Sequence, residues 1–180
     1  MSKFQQPSPA QPILSILSSS WDEFWPALLQ ELEPELGHAD YISEPFAFTE
    51  TSYYNQELGV PILRRILAFE PLMPRQGLVR IKLLCHNLEL SWARSDANRL
   101  FNLDPGYLTL EQLVLATGKN FTHRIYLDQG VYADLTLVYS KGGWQTLPWT
   151  YPDYGGRLLQ EILNQLRQRY KQKLRHRSGR

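Results

Sequence analysis

Residues 122–139 read THRIYLDQGVYADLTLVY and predict a β-hairpin, because two runs rich in β-branched and aromatic residues flank a glycine-containing turn. We interpret Asp128–Gly130 as a three-residue loop in which Gly130 adopts the left-handed conformation. That loop fixes three cross-strand pairs, which are Leu127 with Val131, Ile125 with Ala133, and Arg124 with Asp134.

The same register separates an apolar face of the hairpin from a polar face, since side chains alternate along a strand. One face carries Ile125, Leu127, Val131, Ala133, Leu135 and Leu137, and the other carries Arg124, Tyr126, Tyr132, Asp134 and Thr136. A two-residue loop is rejected because it would set Ile125 opposite Asp134 and mix the two faces. Gly142-Gly143 then turns the chain into a further strand over 144–149, so the pattern predicts a meander of at least three antiparallel strands.

The region before the hairpin alternates apolar strands with helices. Asp22 is the preferred N-cap of the first helix, and Pro45 indicates an edge strand or a bend. The predicted elements are a strand over 13–17, a helix from Asp22 to about Pro34–Gly37, an extended segment over 41–48, a helical turn or loop over 49–59, and a strand over 63–69.

Two long amphipathic helices are predicted from apolar residues that repeat every three or four positions. The first begins near Pro74, and its stripe contains Leu78, Ile81, Cys85, Leu88 and Trp92. Cys85 lies in the middle of that stripe, which favours a buried apolar role over a catalytic one. The second helix covers about 157–175.

The segment between these features predicts a strand over 99–103, followed by a type II turn at Asp104–Tyr107, because Pro and Gly occupy its two central positions. Thr109 and Gln112 have the spacing of a capping box for a short helix that ends at Gly118. The sequence as a whole therefore predicts an α+β fold, with a mixed or antiparallel sheet packed by two long helices.

Composition predicts one soluble domain. The 180 residues are 43% apolar, and the single cysteine excludes an internal disulfide bond. We expect a flexible proline-rich arm over 1–12, a single domain over 13–175 and a basic tail over 176–180. No run of about 18 apolar residues occurs, and no signal peptide is recognised, so we expect a cytoplasmic protein.

Charge is balanced overall at +1 but uneven along the chain. Residues 1–60 have a net charge of −8, and residues 157–180 have a net charge of +7. Two interpretations are open, since a basic surface can bind phosphates, whereas opposite charges can also attract two parts of one domain. The basic face of the last helix is open to the same two interpretations.

Several motifs together resemble a known prokaryotic family. They are Phe46–Thr49, Tyr53-Tyr54, Glu57–Gly59, Asn102–Leu108, Leu113–Thr117, His123–Leu127, Gly130–Asp134 and Trp149–Tyr154. In this order they resemble domain-of-unknown-function family 4416 over about residues 13–174. The family pattern leads us to expect glutamate where this chain has Asp134. The resemblance implies no established activity.

Polar and aromatic residues near the predicted strand ends form the candidate site. Arginine and lysine suit phosphate, and aromatic rings stack on bases. The candidates are Asn102, Asp104, Tyr107, Lys119, Arg124, Tyr126, Tyr132 and Asp134. A purely structural interpretation is also open, in which Arg124 and Asp134 form a cross-strand ion pair and the tyrosines cover the sheet.

No cofactor or metal is expected, although Asp104 and Asp134 are the two carboxylates that could hold magnesium. Gly118-Lys119-Asn120 is not a phosphate loop, because no Ser or Thr follows the lysine. His123 falls on the apolar face in our register, so we do not expect a catalytic base there.

Three functions remain open. The leading one is binding of a nucleotide or nucleic acid through the polar and aromatic residues on the sheet, supported by the basic C-terminal helix. The first alternative is a metal-dependent enzyme acting on a phosphorylated substrate. The second alternative is a protein-interaction module that docks through its acidic N-terminal third, with Glu31, Glu33 and Glu35.

Overall fold

The computed structural model describes residues 3–94 and 98–178, and it contains nine strands and five helices in these ranges. The strands are β1 (Gln11–Ser18), β2 (Ala39–Ile42), β3 (Phe46–Ala47), β4 (Leu63–Phe69), β5 (Asn102–Leu108), β6 (Gln112–Thr117), β7 (Ile125–Asp128), β8 (Val131–Ser140) and β9 (Gly143–Thr146). The helices are α1 (Trp21–Phe24), α2 (Ala27–Leu36), α3 (Asn55–Leu58), α4 (Leu78–Ser91) and α5 (Arg157–Ser178).

All nine strands belong to one open antiparallel sheet, whose main order is β2-β4-β1-β5-β6-β8-β7. β3 also pairs with β4, and β9 also pairs with β8, so each end of the sheet has two short strands along one longer strand. Every residue of β1 is buried, which explains why its sequence does not alternate between apolar and polar residues.

Helices cover both sides of the sheet. We call the side packed against α1, α2 and α4 the first face; it buries Leu14, Ile16 and Leu103 among other residues. The second face packs against α5, whose side chains include Leu163 and Tyr170. The predicted α+β class, the C-terminal meander and the two long helices are confirmed, and the sheet is antiparallel. No helix in the described ranges is long and apolar enough to cross a membrane.

The ends of the domain differ from the predicted boundaries. Ala10 is buried and pairs with Met73, and β1 begins at Gln11, so backbone pairing orders the chain before residue 13. At the other end α5 continues through His176 to Ser178, beyond the predicted end of the helix at 175. Residues 1–2 and 179–180 lie outside the described part of the arm and tail.

The predicted first helix is two helices. α1 ends at Phe24, and α2 begins after Pro26, which follows Trp25 through a cis peptide bond. The helix does not begin with an Asp22 cap, because Ser20 occupies the N-cap position without a side-chain hydrogen bond. Cys85 is fully buried in the first-face core, as predicted.

The predicted turn at Asp104–Tyr107 is wrong, because these residues lie inside β5. Gly106 is opposite Leu115 of β6, and a Cβ atom at Gly106 would lie 2.5 Å from the carbonyl oxygen of Val114. Close approach of two strands thus requires glycine here, not a turn. The short helix after Thr109 is also wrong, since Gln112–Thr117 is β6.

Thr109 instead organises the turn between β5 and β6. Its hydroxyl accepts hydrogen bonds from the backbone N–H groups of Glu111 and Gln112, at 3.2 and 3.1 Å. In a capping box and in this turn alike, the threonine hydroxyl accepts a hydrogen bond from the N–H three residues later. The sequence was therefore compatible with both structures.

The β7–β8 turn also differs from the predicted loop. Gln129 and Gly130 form a two-residue turn with φ of 48° and 78°, and Asp128 is opposite Val131. Leu127 is an extra residue on β7, so the expected pairing of Leu127 with Val131 is wrong. This bulge restores the predicted pairing of Ile125 with Ala133, so the faces do not mix.

A second irregularity lies further along β8. Leu113 is opposite Leu137 and Val114 is opposite Leu135, which leaves Thr136 without a partner residue on β6. Leu135 therefore packs on the first face and Leu137 on the second, although the sequence predicted that they share a face.

β5 and β6 pair only along Gly106–Leu108, so within residues 3–94 and 98–178 no strand borders the first half of β5 on that side. Two α4 side chains satisfy the backbone of Leu103 there. The carboxylate of Glu89 accepts the Leu103 N–H at 2.5 Å, and the Lys82 ammonium donates to the Leu103 carbonyl at 3.1 Å. Burial raises the pKa of Glu89. The sheet is thus locally open between β5 and β6, next to Asp104.

Ion pairs account for part of the uneven charge of the sequence. Four of the nine acids in residues 1–60 pair with bases from the rest of the chain. The pairs are Glu23 with Arg94, Glu35 with Arg80, Glu57 with Arg99, and Asp40 with Arg169 and Lys173. This favours the interpretation in which two parts of one domain attract each other.

We predict that Gly106→Ala destabilises the protein by about 1–3 kcal/mol, because the new methyl group would overlap the β6 backbone. Urea unfolding followed by circular dichroism measures this change. Gly118→Ala is the matched control, since an added Cβ at Gly118 meets nothing within 4 Å. Equal stability of the two variants would contradict the close packing of β5 on β6.

Candidate functional site

Arg124 and Asp134 form a cross-strand ion pair on the second face, as the hairpin register predicted. Arg124 Nε lies 2.9 Å from Asp134 Oδ2, and the two side chains are only 9% and 11% exposed. Burial disfavours the charged guanidinium, but contacts with Asp134 and Tyr151 outweigh it and raise the pKa of Arg124. Arg124 therefore stays charged, and its contact with Asp134 links β8 to the residues before β7.

Tyr126 and Tyr132 lie beside this ion pair. They are directly opposite each other in the β7–β8 ladder, and their rings meet edge to face at 5.3 Å. Tyr132 and Asp134 alternate with Val131 and Ala133, which pack on the first face. Tyr126 is 56% exposed, and it also borders the groove between the hairpin and α4.

Arg124 also fixes the loop that carries Lys119. Its Nη1 donates to the Lys119 carbonyl at 3.0 Å, and the Lys119 N–H donates to the Thr117 hydroxyl at 3.1 Å. The exposed Lys119 ammonium lies 3.4 Å from the Tyr53 hydroxyl and 5.1 Å from the centre of its ring. Backbone contacts thus hold the loop while its ammonium group faces solvent.

The structure places His123 on the second face, which corrects the prediction of an apolar-face histidine. The residues before Ile125 form a turn closed by a hydrogen bond from the Arg124 N–H to the Phe121 carbonyl, not a strand that begins at Thr122. His123 Nε2 therefore lies 3.2 Å from Asp134 Oδ2.

Aromatic rings surround the His123 side chain. Its ring stacks on Trp149 with centroids 4.9 Å apart and an interplanar angle of 11°, and it meets Phe121 edge-on at 5.5 Å. We define the aromatic patch by the rings that adjoin Lys119 and the Arg124–Asp134 pair. These are Tyr53, Phe121, His123, Tyr126, Tyr132, Trp149 and Tyr151.

The segment 149–154 crosses the second face and borders the patch. Trp149 Nε1 donates to the Leu135 carbonyl at 2.8 Å, and the Thr150 hydroxyl donates to the Thr136 carbonyl at 2.5 Å. At its far end Asp153 pairs with Arg64 of β4 at 2.5 Å, with both side chains nearly buried. The segment is therefore anchored on two strands that stand four positions apart in the sheet.

Asn102 and Asp104 share the second face, as predicted from their spacing. Asn102 Nδ2 donates to Asp104 Oδ2 at 2.7 Å, and Arg99 Nη1 donates to Asn102 Oδ1 at 3.1 Å. Lys82 Nζ is 3.8 Å from Asp104 Oδ1. Arg99 also binds both carboxylate oxygens of Glu57, and this hydrogen bonding lowers the pKa of Glu57.

Tyr54 connects this polar group to the patch. Its ring meets Tyr53 edge-on at 5.0 Å. Burial raises the pKa of the Tyr54 hydroxyl, and the charge of Asp104 raises it further. Tyr151 interacts with both Tyr54 and Arg124, so the Asp104 group and the Arg124 group lie on either side of these two tyrosines.

One predicted site residue is not with the others. Tyr107 lies on the first face, against the core beneath α4. It lines a groove of about 680 Å³ between α4 and the β7–β8 hairpin, together with Val79, Leu83 and Ala133, and Tyr126 borders the same groove. Side chains alternate between the two faces along a strand. Tyr107 is an odd number of residues from Asp104 on β5, so it lies on the opposite face from the other candidate residues.

The two carboxylates considered for magnesium are also apart. Asp134 is opposite Leu115, which is opposite Gly106, so β6 separates Asp134 from the strand of Asp104. Two strand spacings amount to roughly 10 Å, whereas magnesium binds oxygen ligands at about 2.1 Å. In residues 3–94 and 98–178, no group of three His, Cys, Asp or Glu side chains could hold a metal ion.

The matching family model covers residues 8–170 and is described as a domain of unknown function, DUF4416. Because it spans most of the sequence, the chain belongs to this family. Neither the curated proteins nor the solved structures gave a match to the chain.

The sequence reasoning did not select several residues of this region, among them Tyr53, Tyr54, Glu57, Lys82, His123, Trp149 and Tyr151. Except for Lys82, all of them occur in the motifs that carry the family resemblance. That resemblance was the available signal, because segments far apart in sequence supply one surface. No sequence pattern pointed to Lys82, because it donates to the Leu103 carbonyl only where β5 lacks a neighbouring strand in the described ranges.

We predict that Asp134→Ala lowers the free energy of unfolding by about 3 kcal/mol, because it leaves the buried Arg124 charge without its partner. Chemical unfolding measures the loss. Glu161→Ala is the control, since it breaks the exposed Glu161–Arg157 pair, which water and salt screen. A loss at Asp134 as small as that at Glu161 would contradict a buried pair.

Proposed function

We propose that the chain binds a nucleotide unit on the aromatic patch, either free or as part of a single strand. Two observations carry the proposal: the exposed Lys119 ammonium beside the Tyr53 ring, and the Tyr126–Tyr132 ring pair on the neighbouring strands β7 and β8. A nucleotide combines the two groups that such a surface recognises, a flat base and a phosphate.

Stacking of the base is assigned to Tyr126 and Tyr132. Aromatic side chains on adjacent strands of an open sheet are a common platform for bases in RNA-binding domains. Tyr126 is the more exposed of the two, while Tyr132 supports it edge-on from below. Stacking of this kind contributes about 1–3 kcal/mol per base.

Contact with phosphate is assigned to Lys119. Arg124 is a positioning residue in this proposal, because its guanidinium is buried and donates to Asp134 and to the Lys119 carbonyl. A buried arginine holds the loop, and the exposed lysine supplies a point charge.

The two alternatives have less support. A metal-dependent enzyme would need ligands that converge, and Asp104 and Asp134 do not. Docking through the acidic N-terminal third would need free acids. Glu31 accepts from Trp92 Nε1, Glu33 contacts His38 and Glu35 pairs with Arg80. A cytoplasmic location remains part of the proposal, from the sequence.

We predict that Tyr126→Ala and Lys119→Gln each weaken nucleotide binding roughly 5-fold or more, because each removes one of the two assigned contacts. Isothermal titration calorimetry with a set of AMP, GMP, CMP and UMP measures binding, and fluorescence anisotropy with a labelled RNA decamer measures binding of the strand.

The matched controls are Phe4→Ala and Lys171→Gln, which change an exposed ring and an exposed cation outside the patch. They should bind like the unmodified chain. If neither the mononucleotides nor the decamer binds, or if the patch variants bind as well as the controls, the proposal is wrong.

A further inference from the structure

Most cations near the aromatic patch already have carboxylate partners. Arg124 pairs with Asp134, Arg64 with Asp153, and Arg99 with Glu57 and Glu89. Each of these arginines is largely buried. Within the described ranges they form part of the protein's own framework, so a ligand on the patch does not meet them as free charges.

The basic helix does not extend the patch. Arg167 donates to the Leu110 carbonyl and lies over the Tyr139 ring, while Arg169 and Lys173 pair with Asp40. Lys173 also donates to the Gln11 side chain and to the Phe69 carbonyl. Gln11 is paired with Leu108, at the other end of β5 from Asn102. The expectation that these C-terminal bases support ligand binding at the patch therefore has no support, because Arg167, Arg169 and Lys173 make contacts elsewhere.

Lys119 is the exposed cation that adjoins the patch rings in the described part of the chain. Carboxylates lie near it: the Lys119 ammonium interacts electrostatically with Glu57, and Asp104 is partly exposed beyond Tyr54. Asp128 is at the hairpin tip but borders the first-face groove. A strand laid across the patch would bring a flanking phosphate towards the Glu57 and Asp104 charges.

Binding of a nucleic-acid strand depends on several cations, because each phosphate contact releases counterions and contributes to affinity. A patch with one exposed lysine matches one phosphate group instead. We infer that the ligand of the patch is a single free nucleotide, not a nucleic-acid strand. This inference rests on the proposed function, and it defines the ligand more narrowly.

The test compares AMP, GMP, CMP and UMP with a mixed-sequence RNA decamer and a DNA decamer, on the full chain and over a range of salt concentrations. We expect at least one mononucleotide to bind, with a slope of log K against log salt between 0 and about −1. The decamers should bind no more than about 10-fold tighter, which is the statistical advantage of offering ten nucleotides.

Lys119→Gln should reduce the salt dependence of mononucleotide binding to nearly zero, whereas Lys171→Gln should leave it unchanged. Decamers that bind 100-fold tighter than any mononucleotide, with a slope of about −3 or steeper, would overturn the inference while the proposed function stands. If no probe binds, the proposed function itself fails.

Discussion

A buried ion pair between Arg124 and Asp134 determines the geometry of the aromatic patch. Through Arg124 it holds the carbonyl of Lys119, and through Asp134 it holds the ring of His123. Because both partners are nearly excluded from water, neither can be lost without leaving an uncompensated charge. The loop before β7, the stacked His123–Trp149 rings and the Tyr126–Tyr132 pair are all arranged around this one contact.

In the described part of the chain, the sheet next to Asn102 and Asp104 lacks a strand beside the first half of β5, and side chains of α4 make the backbone hydrogen bonds there instead. Glu89 and Lys82 supply the hydrogen bonds that a strand would have given to Leu103. A buried carboxylate and a lysine are a costly substitute for a strand, and they are tolerated because each finds a backbone partner. This arrangement leaves Asp104 and the buried Asn102 next to a gap in the ladder, where the Asp104 side chain remains partly accessible.

The parts of the fold that sequence predicted well are those set by local periodicity. The Arg124–Asp134 pair and the shared face of Tyr126 and Tyr132 followed from alternation across one hairpin. The errors arose where distant contacts decided the structure. Pro105-Gly106 has the local preference of a turn, but close packing of Gly106 on β6 keeps it in a strand. His123 was misplaced because a turn precedes Ile125, and Trp149 reaches it from another part of the chain.

A crystal structure of the full chain grown with the mononucleotide that binds most tightly tests the central claim most directly. Our account predicts a base stacked on Tyr126, a phosphate within hydrogen-bond distance of Lys119 Nζ, and an unchanged Arg124–Asp134 pair. A nucleotide bound instead against Tyr107 and α4, with its base off the Tyr126–Tyr132 rings and its phosphate away from Lys119, would contradict it.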